Sequence, residues 1–82
     1  LTQRIEGLAI DWLPIRPGSP YAGRSIADTQ ARSRTGVSIV AIVRGEGAIP
    51  APAPDAGLEP GDTLVVVGTA QGIKELSKLL GG

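Results

Sequence analysis

The sequence predicts an α+β domain: a mainly antiparallel sheet of about four strands with two helices on one face, working as a dimer. Three observations carry this reading. The runs VSIVAIVR (Val37 to Arg44) and TLVVV (Thr63 to Val67) are dense in β-branched residues and bounded by Gly and Pro. Gly45-Glu46-Gly47 follows the first run directly, so the strand doubles back as a hairpin rather than crossing over. Two segments with helix-start and helix-stop residues complete the chain, enough to cover about one face of such a sheet.

Taken in order, Gly7 to Ile15 (GLAIDWLPI) reads as a strand running into a loop, because Pro14 and Pro17 turn the backbone away from helix. After the breaker-rich stretch Arg16 to Pro20, Ser25 stands three residues before Asp28, the spacing of a capping box with Asp in place of Glu. A helix of about three turns, near Arg24 to Arg34, is expected there, with Ile26, Ala27 and Ala31 as a narrow apolar stripe and Gly36 as its left-handed stop. Val37 to Arg44 is the next strand, with Ala48-Ile49 paired back on it. Pro50, Pro52 and Pro54 cannot donate to a ladder, so the chain leaves the sheet as an extended edge. Glu59-Pro60-Gly61-Asp62 fits a type II turn, Thr63 to Val67 is the clearest central strand, and a helix from Thr69 to Leu80 buries Ile73, Leu76, Leu79 and Leu80 before Gly81 ends it.

Strict alternation puts Val37, Ile39, Ala41 and Val43 on one face of the central strand and Ser38, Val40 and Ile42 on the other, both largely apolar. Two helices cover only one face, so the second needs a partner. A second copy supplies it with the same surface twice; packing against another domain is the alternative. The chain opens on Leu1 and contains no Met, which reads as a piece of a longer protein.

Composition removes most other functions. With 82 residues the chain forms one domain, and with no Cys and no His it lacks disulfides, thiolate nucleophiles, the usual zinc ligands and the commonest general base. Eight basic residues balance eight acidic ones, and no run of either sign draws the chain to a nucleic-acid polymer or an anionic membrane. No apolar stretch is long enough for a bilayer. Gly57, Gly61 and Gly68 read as turn glycines, since no Gly-rich strand-to-helix loop with a phosphate-binding Lys is present. Asp11, Asp55 and Asp62 could be read as a hydrolytic carboxylate set, but the latter two sit in turns where Asp serves the backbone, and without a nucleophile or a base no enzyme is expected.

The ordered set Pro17-Gly18-Ser19, Gly23-Arg24-Ser25-Ile26, Thr35 to Arg44 (TGVSIVAIVR) and Pro60 to Gly68 (PGDTLVVVG), with Pro-Ala-Pro between the hairpin and the Pro-Gly-Asp turn, resembles the RCK C-terminal (TrkA-C) family from about Ile10 to the end. The resemblance implies a cytoplasmic, non-catalytic regulatory domain that dimerises beside a membrane cation transporter or antiporter subunit. The VSIVAIVR version is similar to domains of cation/proton antiporter regulatory subunits. The resemblance also implies a ligand, cyclic di-AMP, at the homodimer interface, and no cofactor or metal.

On the same ground Val40, Ala41 and Arg44 on the central strand, with Ala48, Ile49 and Pro50 on its partner, line the ligand groove, and Arg44 is the phosphate-binding candidate. A cyclic dinucleotide presents two phosphates and two flat adenines, so it needs cationic or N–H donors and apolar walls. Read without the family, Arg44 is a strand-end charge paired with Glu46 or Asp62, and the apolar residues are core. Family members that bind the dinucleotide often carry Asn before the apolar pair of the second hairpin strand; here Gly47 and Ala48 stand there. The rival functions are a purely structural dimerisation module and a sensor that binds ions through Asp and Glu oxygens.

Overall fold

The computed structural model describes residues 5–82. Its elements are β1 (Ala9–Pro14), α1 (Ile26–Thr29), α2 (Ala31–Thr35), β2 (Ser38–Arg44), β3 (Gly47–Pro50), β4 (Thr63–Gly68) and α3 (Ala70–Leu79). The strands form one antiparallel sheet in the order β1-β4-β2-β3. The helices pack on one face of it over Leu13, Ile42, Leu64 and Val66, and contribute Ala31, Ile73, Leu76 and Leu80 to the same cluster. This is the expected α+β layer arrangement.

β1 is shorter than the predicted Gly7–Ile15 stretch and lies at the sheet edge, where Pro14 has no ladder N–H to lose. The capping box forms as read: Ser25 Oγ accepts from the Asp28 N–H, and the Asp28 carboxylate accepts from the Ser25 N–H at 2.9 Å. That bond and the neighbouring Arg24 guanidinium hold the Asp28 carboxyl below its ordinary value.

The single helix expected from Arg24 to Arg34 is instead two short ones. Gln30 takes a left-handed conformation (φ 49°, ψ 36°) between them. The cause is the buried Thr29, whose hydroxyl donates to the Ile26 carbonyl at 2.6 Å and accepts from the Ala31 N–H at 3.2 Å, diverting the backbone from the helical ladder. Ala27, expected on the apolar stripe, is exposed, and Thr29 takes the buried position. Gly36 ends α2 as expected, at φ 75°.

The face assignment of β2 is also corrected. Ile39 pairs with Val66 and Ala41 with Val65, so Val40 is an extra residue, a β-bulge. It shifts the alternation by one: Ile39 and Ile42 share the helix-covered face with Val66 and Leu64, while Ser38, Ala41 and Val43 share the other with Val67, Val65 and Thr63. The hairpin after Arg44 turns through Gly45 (φ 59°) and Glu46, and β3 runs from Gly47 to Pro50, one residue further at each end than expected.

The chain from Pro54 to Leu58 lies along residues 23–27. Gly23 and Ile26 donate to the carbonyls of Leu58 and Ala56, at 2.8 and 3.0 Å, and Ala27 donates to that of Pro54 at 2.8 Å. The first N–H groups of α1 are thus satisfied by the returning loop, and Leu58 is buried beneath it. Gly61 (φ 94°) and the Asp62 N–H to Glu59 carbonyl bond at 3.0 Å realise the Pro-Gly turn.

In α3 the Thr69 hydroxyl caps the Gly72 N–H, and Ile73, Leu76 and Leu80 are buried; Leu79 is only half-buried. Gly68 closes β4 instead of making a turn, and its missing side chain admits Val37, whose Cγ2 lies 2.9 Å from where a Cβ would stand. At Gly72 a Cβ would stand 2.5 Å from the Thr35 carbonyl oxygen. Gly72→Ala is therefore expected to destabilise the domain by about 1–3 kcal/mol despite the better helix propensity of Ala. A thermal melt checks this, and an unchanged or raised midpoint would show that α3 can move away from α2.

Candidate functional site

The sheet face away from the helices is open. Register places Trp12, Val65, Ala41 and Pro50 in one row across all four strands, and Pro14, Thr63, Val43 and Ala48 in the next. Ile10 and Val67 continue it at one end. No charged residue lies in these rows. Trp12 and Ile10 are 59% and 57% exposed, although both are large and apolar.

The hairpin forms one side of this face and carries the six residues the sequence singled out. Ala41, Ala48 and Pro50 lie together on the open face. Val40, the bulge residue, is 40% exposed, and its carbonyl accepts from the Ala51 N–H at 2.9 Å. Ile49 pairs with the buried Ile42 and so points to the helix side, yet at the outer strand it stays 38% exposed. Ala41, Ala48 and Pro50 thus share the open face, while the exposed Val40 sits at the bulge and Ile49 on the helix side of the hairpin.

Arg44 is not gathered with them. It shares a face with Ile42, and its guanidinium reaches the turn that precedes β4. Nε and Nη2 donate to the two Asp62 carboxylate oxygens, both at 2.8 Å, Nη2 also donates to the Gly57 carbonyl at 3.0 Å, and Nη1 lies 3.0 Å from Glu59 Oε2. Of the two carboxylates weighed for Arg44, Asp62 is the one used, and Glu59, outside that reading, joins it. Asp62 is 1% exposed and also accepts from the Glu59 N–H at 2.8 Å. The Arg44 hydrogen bonds, with help from that N–H, hold the Asp62 carboxyl below its ordinary value despite burial, and Asp62 in turn raises Arg44. The clasp ties the end of β2 to the loop that leads into β4.

A separate groove of about 590 Å³ lies between α1, α2, the start of β2 and Pro52 and Pro54, with Ile26, Gln30, Arg32 and Ile39 on its walls. It contains none of the six hairpin residues. Among the described residues no group of three or more His, Cys, Asp or Glu is placed to hold a metal ion, and no helix is long and apolar enough to cross a membrane. Asp11 and Asp62, two of the three carboxylates considered for hydrolysis, are occupied with the Trp12 N–H and the Arg44 clasp.

Comparison with known proteins gives these features a setting. The ammonium/H(+) antiporter subunit AmhM of Alkalihalophilus pseudofirmus is 32% identical over 72 residues, 88% of this chain, which spans only 43% of that relative. The RCK C domain of the potassium transport protein KtrA, solved with cyclic di-AMP, superposes with a TM-score of 0.80 at 34% identity, over 87% of this chain and 81% of that one. The RCK_C domain dimer of Streptococcus agalactiae BusR, also with cyclic di-AMP, gives a TM-score of 0.80 at 26% identity, over 89% of this chain and 96% of that one. BusR in complex with its busA-promotor DNA is matched too, and there this chain spans 42% of that protein. The family model of the TrkA-C domain matches residues 12–81, from the exposed Trp12 to the glycine after α3, and this chain belongs to that family.

Proposed function

We propose that this TrkA-C domain binds cyclic di-AMP across the interface of a homodimer and thereby regulates a membrane cation transporter, foremost a cation/proton antiporter, from the cytoplasmic side. The observation that carries the proposal is the apolar hairpin strip, Val40, Ala41, Ala48, Ile49 and Pro50. Ala41, Ala48 and Pro50 lie on the uncharged sheet face, and Val40 and Ile49 on the same hairpin are 40% and 38% exposed. Adenine rings find flat apolar walls there, and a two-fold ligand suits a two-fold pair of strips. Two RCK C domains of similar size that carry this ligand support the reading, and the antiporter subunit among the relatives supports the transporter class.

Arg44 serves the phosphates in this proposal through its Nη1 edge. There the neighbour is the exposed Glu59, while the buried Asp62 fixes the other edge. Regulation then amounts to differential affinity: the ligand changes the relation of two chains only by binding one arrangement more tightly. The balanced charge and the lack of a basic stripe argue for a small dinucleotide over a nucleic-acid polymer.

One observation favours the rival, a dimerisation module without its own ligand: Arg44 is already satisfied by Asp62, Gly57 and Glu59. Thermal shift with cyclic di-AMP, and with cyclic di-GMP and ATP as controls, separates the two. A hundred-fold excess over the dissociation constant stabilises the folded state by about 2.7 kcal/mol, a rise of roughly 10–20 °C in a domain of this size, for cyclic di-AMP alone. No shift at high ligand concentration would sink the ligand reading and leave the structural module.

A further inference from the structure

We infer that the groove between α1, α2 and the start of β2 docks a short extended segment that carries apolar side chains and a carboxylate, contributed by the membrane transport subunit. Only the source of that segment rests on the transporter reading above; the groove and its chemistry stand without it.

The groove exists because the sheet loses a strand there. β3 pairs with β2 only from Ala41 to Arg44, so Ser38, Ile39 and Val40 have no strand on that side. The Val40 carbonyl is taken by the Ala51 N–H at 2.9 Å, and the Ala27 N–H donates to the Pro54 carbonyl at 2.8 Å. The stretch from Ala51 to Pro54 is thus pinned at both ends, and its prolines hold their own φ. Pro52 and Pro54 from that stretch line the groove together with Ile26 and Ile39. Among the described residues, the two with positive φ that are not glycine both stand here: Gln30, at φ 49°, is part of the lining, and Ala51, at φ 45°, leads into Pro52. That backbone region is costly for a residue with a Cβ, and such cost gathers where a site must be shaped in advance.

Three features select the occupant. A volume of about 590 Å³ lies within the range of preformed ligand sites and takes a few side chains. The vacant edge of β2 suits an extended backbone, which gains ladder hydrogen bonds while alternate side chains enter the groove. The charge is one-sided as well. Arg32 is the one charged residue of the lining; it is exposed and has no carboxylate partner among the described residues. From Arg16 to Arg34 the sequence carries four arginines and one acidic residue, Asp28, which Arg24 and the Ser25 N–H already occupy. A carboxylate on the docked segment answers Arg32, whereas a lysine there meets like charge. A flat bilayer does not enter a groove, and one cation is too little for a nucleic-acid polymer.

The test titrates two synthetic probes, acetyl-Val-Thr-Leu-Glu-Glu-amide and the same peptide with Lys for both Glu, into the isotope-labelled chain and follows amide chemical shifts. The expected result is saturable shifts at Gln30, Arg32, Ser38 and Ile39, with the Glu peptide bound about five-fold more tightly at low salt. Arg32→Glu, at an exposed position, should reverse that order and keep the melting temperature. Membrane vesicles that hold the transport subunit should retain the wild-type chain and release Arg32→Glu. No shifts with either peptide, equal affinity for both, or shifts confined to the hairpin overturn the groove assignment. Self-association of the chain that Arg32→Glu abolishes puts a second copy in the groove and also overturns it. Equal retention by vesicles without the subunit overturns the source. Cyclic di-AMP is titrated into the same sample: a peptide response without a nucleotide response upholds the groove and counts against the ligand reading alone, and the reverse counts against the groove alone.

Discussion

Asp62→Ala is expected to lower the stability of the domain by about 2–3 kcal/mol, roughly 10–20 °C in melting temperature for a domain of this size. The carboxylate is 1% exposed and accepts three hydrogen bonds, two from Arg44 and one from the Glu59 N–H. Removal leaves the Glu59 N–H without its acceptor and the partly covered guanidinium with only the Gly57 carbonyl and the exposed Glu59. The loss stays below that of a fully buried pair because Arg44 is 35% exposed and can turn to water. Asp62→Asn, which keeps an acceptor for Glu59, should lose less.

The sign of the pH dependence follows from the lowered carboxyl. A carboxyl whose folded value lies below its unfolded value of about 3.9 contributes stability that is fully present above that value. The contribution disappears as pH falls through the lower folded value. The gap in melting temperature between the wild type and Asp62→Asn should thus hold from neutral pH down to about pH 5 and close below about pH 4. A gap that does not change with pH would mean that Asp62 acts by shape, not by charge.

Ile42→Ala should be more damaging, at about 3–4 kcal/mol. Ile42 is fully buried between Leu64 and Ile49 and carries the hairpin on the core. Its loss leaves a cavity under β2 that the paired strands on either side cannot close. The midpoint of a denaturant titration should fall while its slope stays constant. A fall below about 1 kcal/mol would show that the hairpin can settle onto the helices and that the strip is not rigidly supported.

Local chemistry made much of the fold legible. Ser25 and Asp28 mark a helix start by their own hydrogen bonds, Gly36 and Gly61 mark positive φ, and Gly45-Glu46-Gly47 marks a reversal, since each signal acts within a few residues. The failures have tertiary causes. Thr29 breaks the first helix because it is buried with its hydroxyl turned on the backbone, and nothing in the stretch from Ser25 to Thr35 announces that burial. The bulge at Val40 was hidden because β2 is apolar on both faces, so a shift of one residue leaves the pattern readable either way. Leu58 and Ile15 are core residues in irregular segments, where no periodicity flags them.

The candidate site divides along the same line. The hairpin was readable because it pairs neighbours in sequence, so Ala48 and Ile49 could be set against the central strand, but Pro50, expected to leave the sheet, pairs with Ala41. The partner of Arg44 could be narrowed only to Glu46 or Asp62, because one is acidic and near in sequence and the other acidic but 18 residues away. Only the path of the returning loop, with Gly57 and Asp62 placed against β2, selects among them.

The measurement that bears most directly on the central claim is the stoichiometry of cyclic di-AMP binding by calorimetric titration. A ligand on the axis of a dimer is shared, so the titration should saturate at about one cyclic di-AMP per two chains. Wild-type binding should weaken in Arg44→Ala, and cyclic di-GMP and ATP should give no comparable heat. Saturation at one ligand per chain, or no heat at any ligand concentration, would contradict the account.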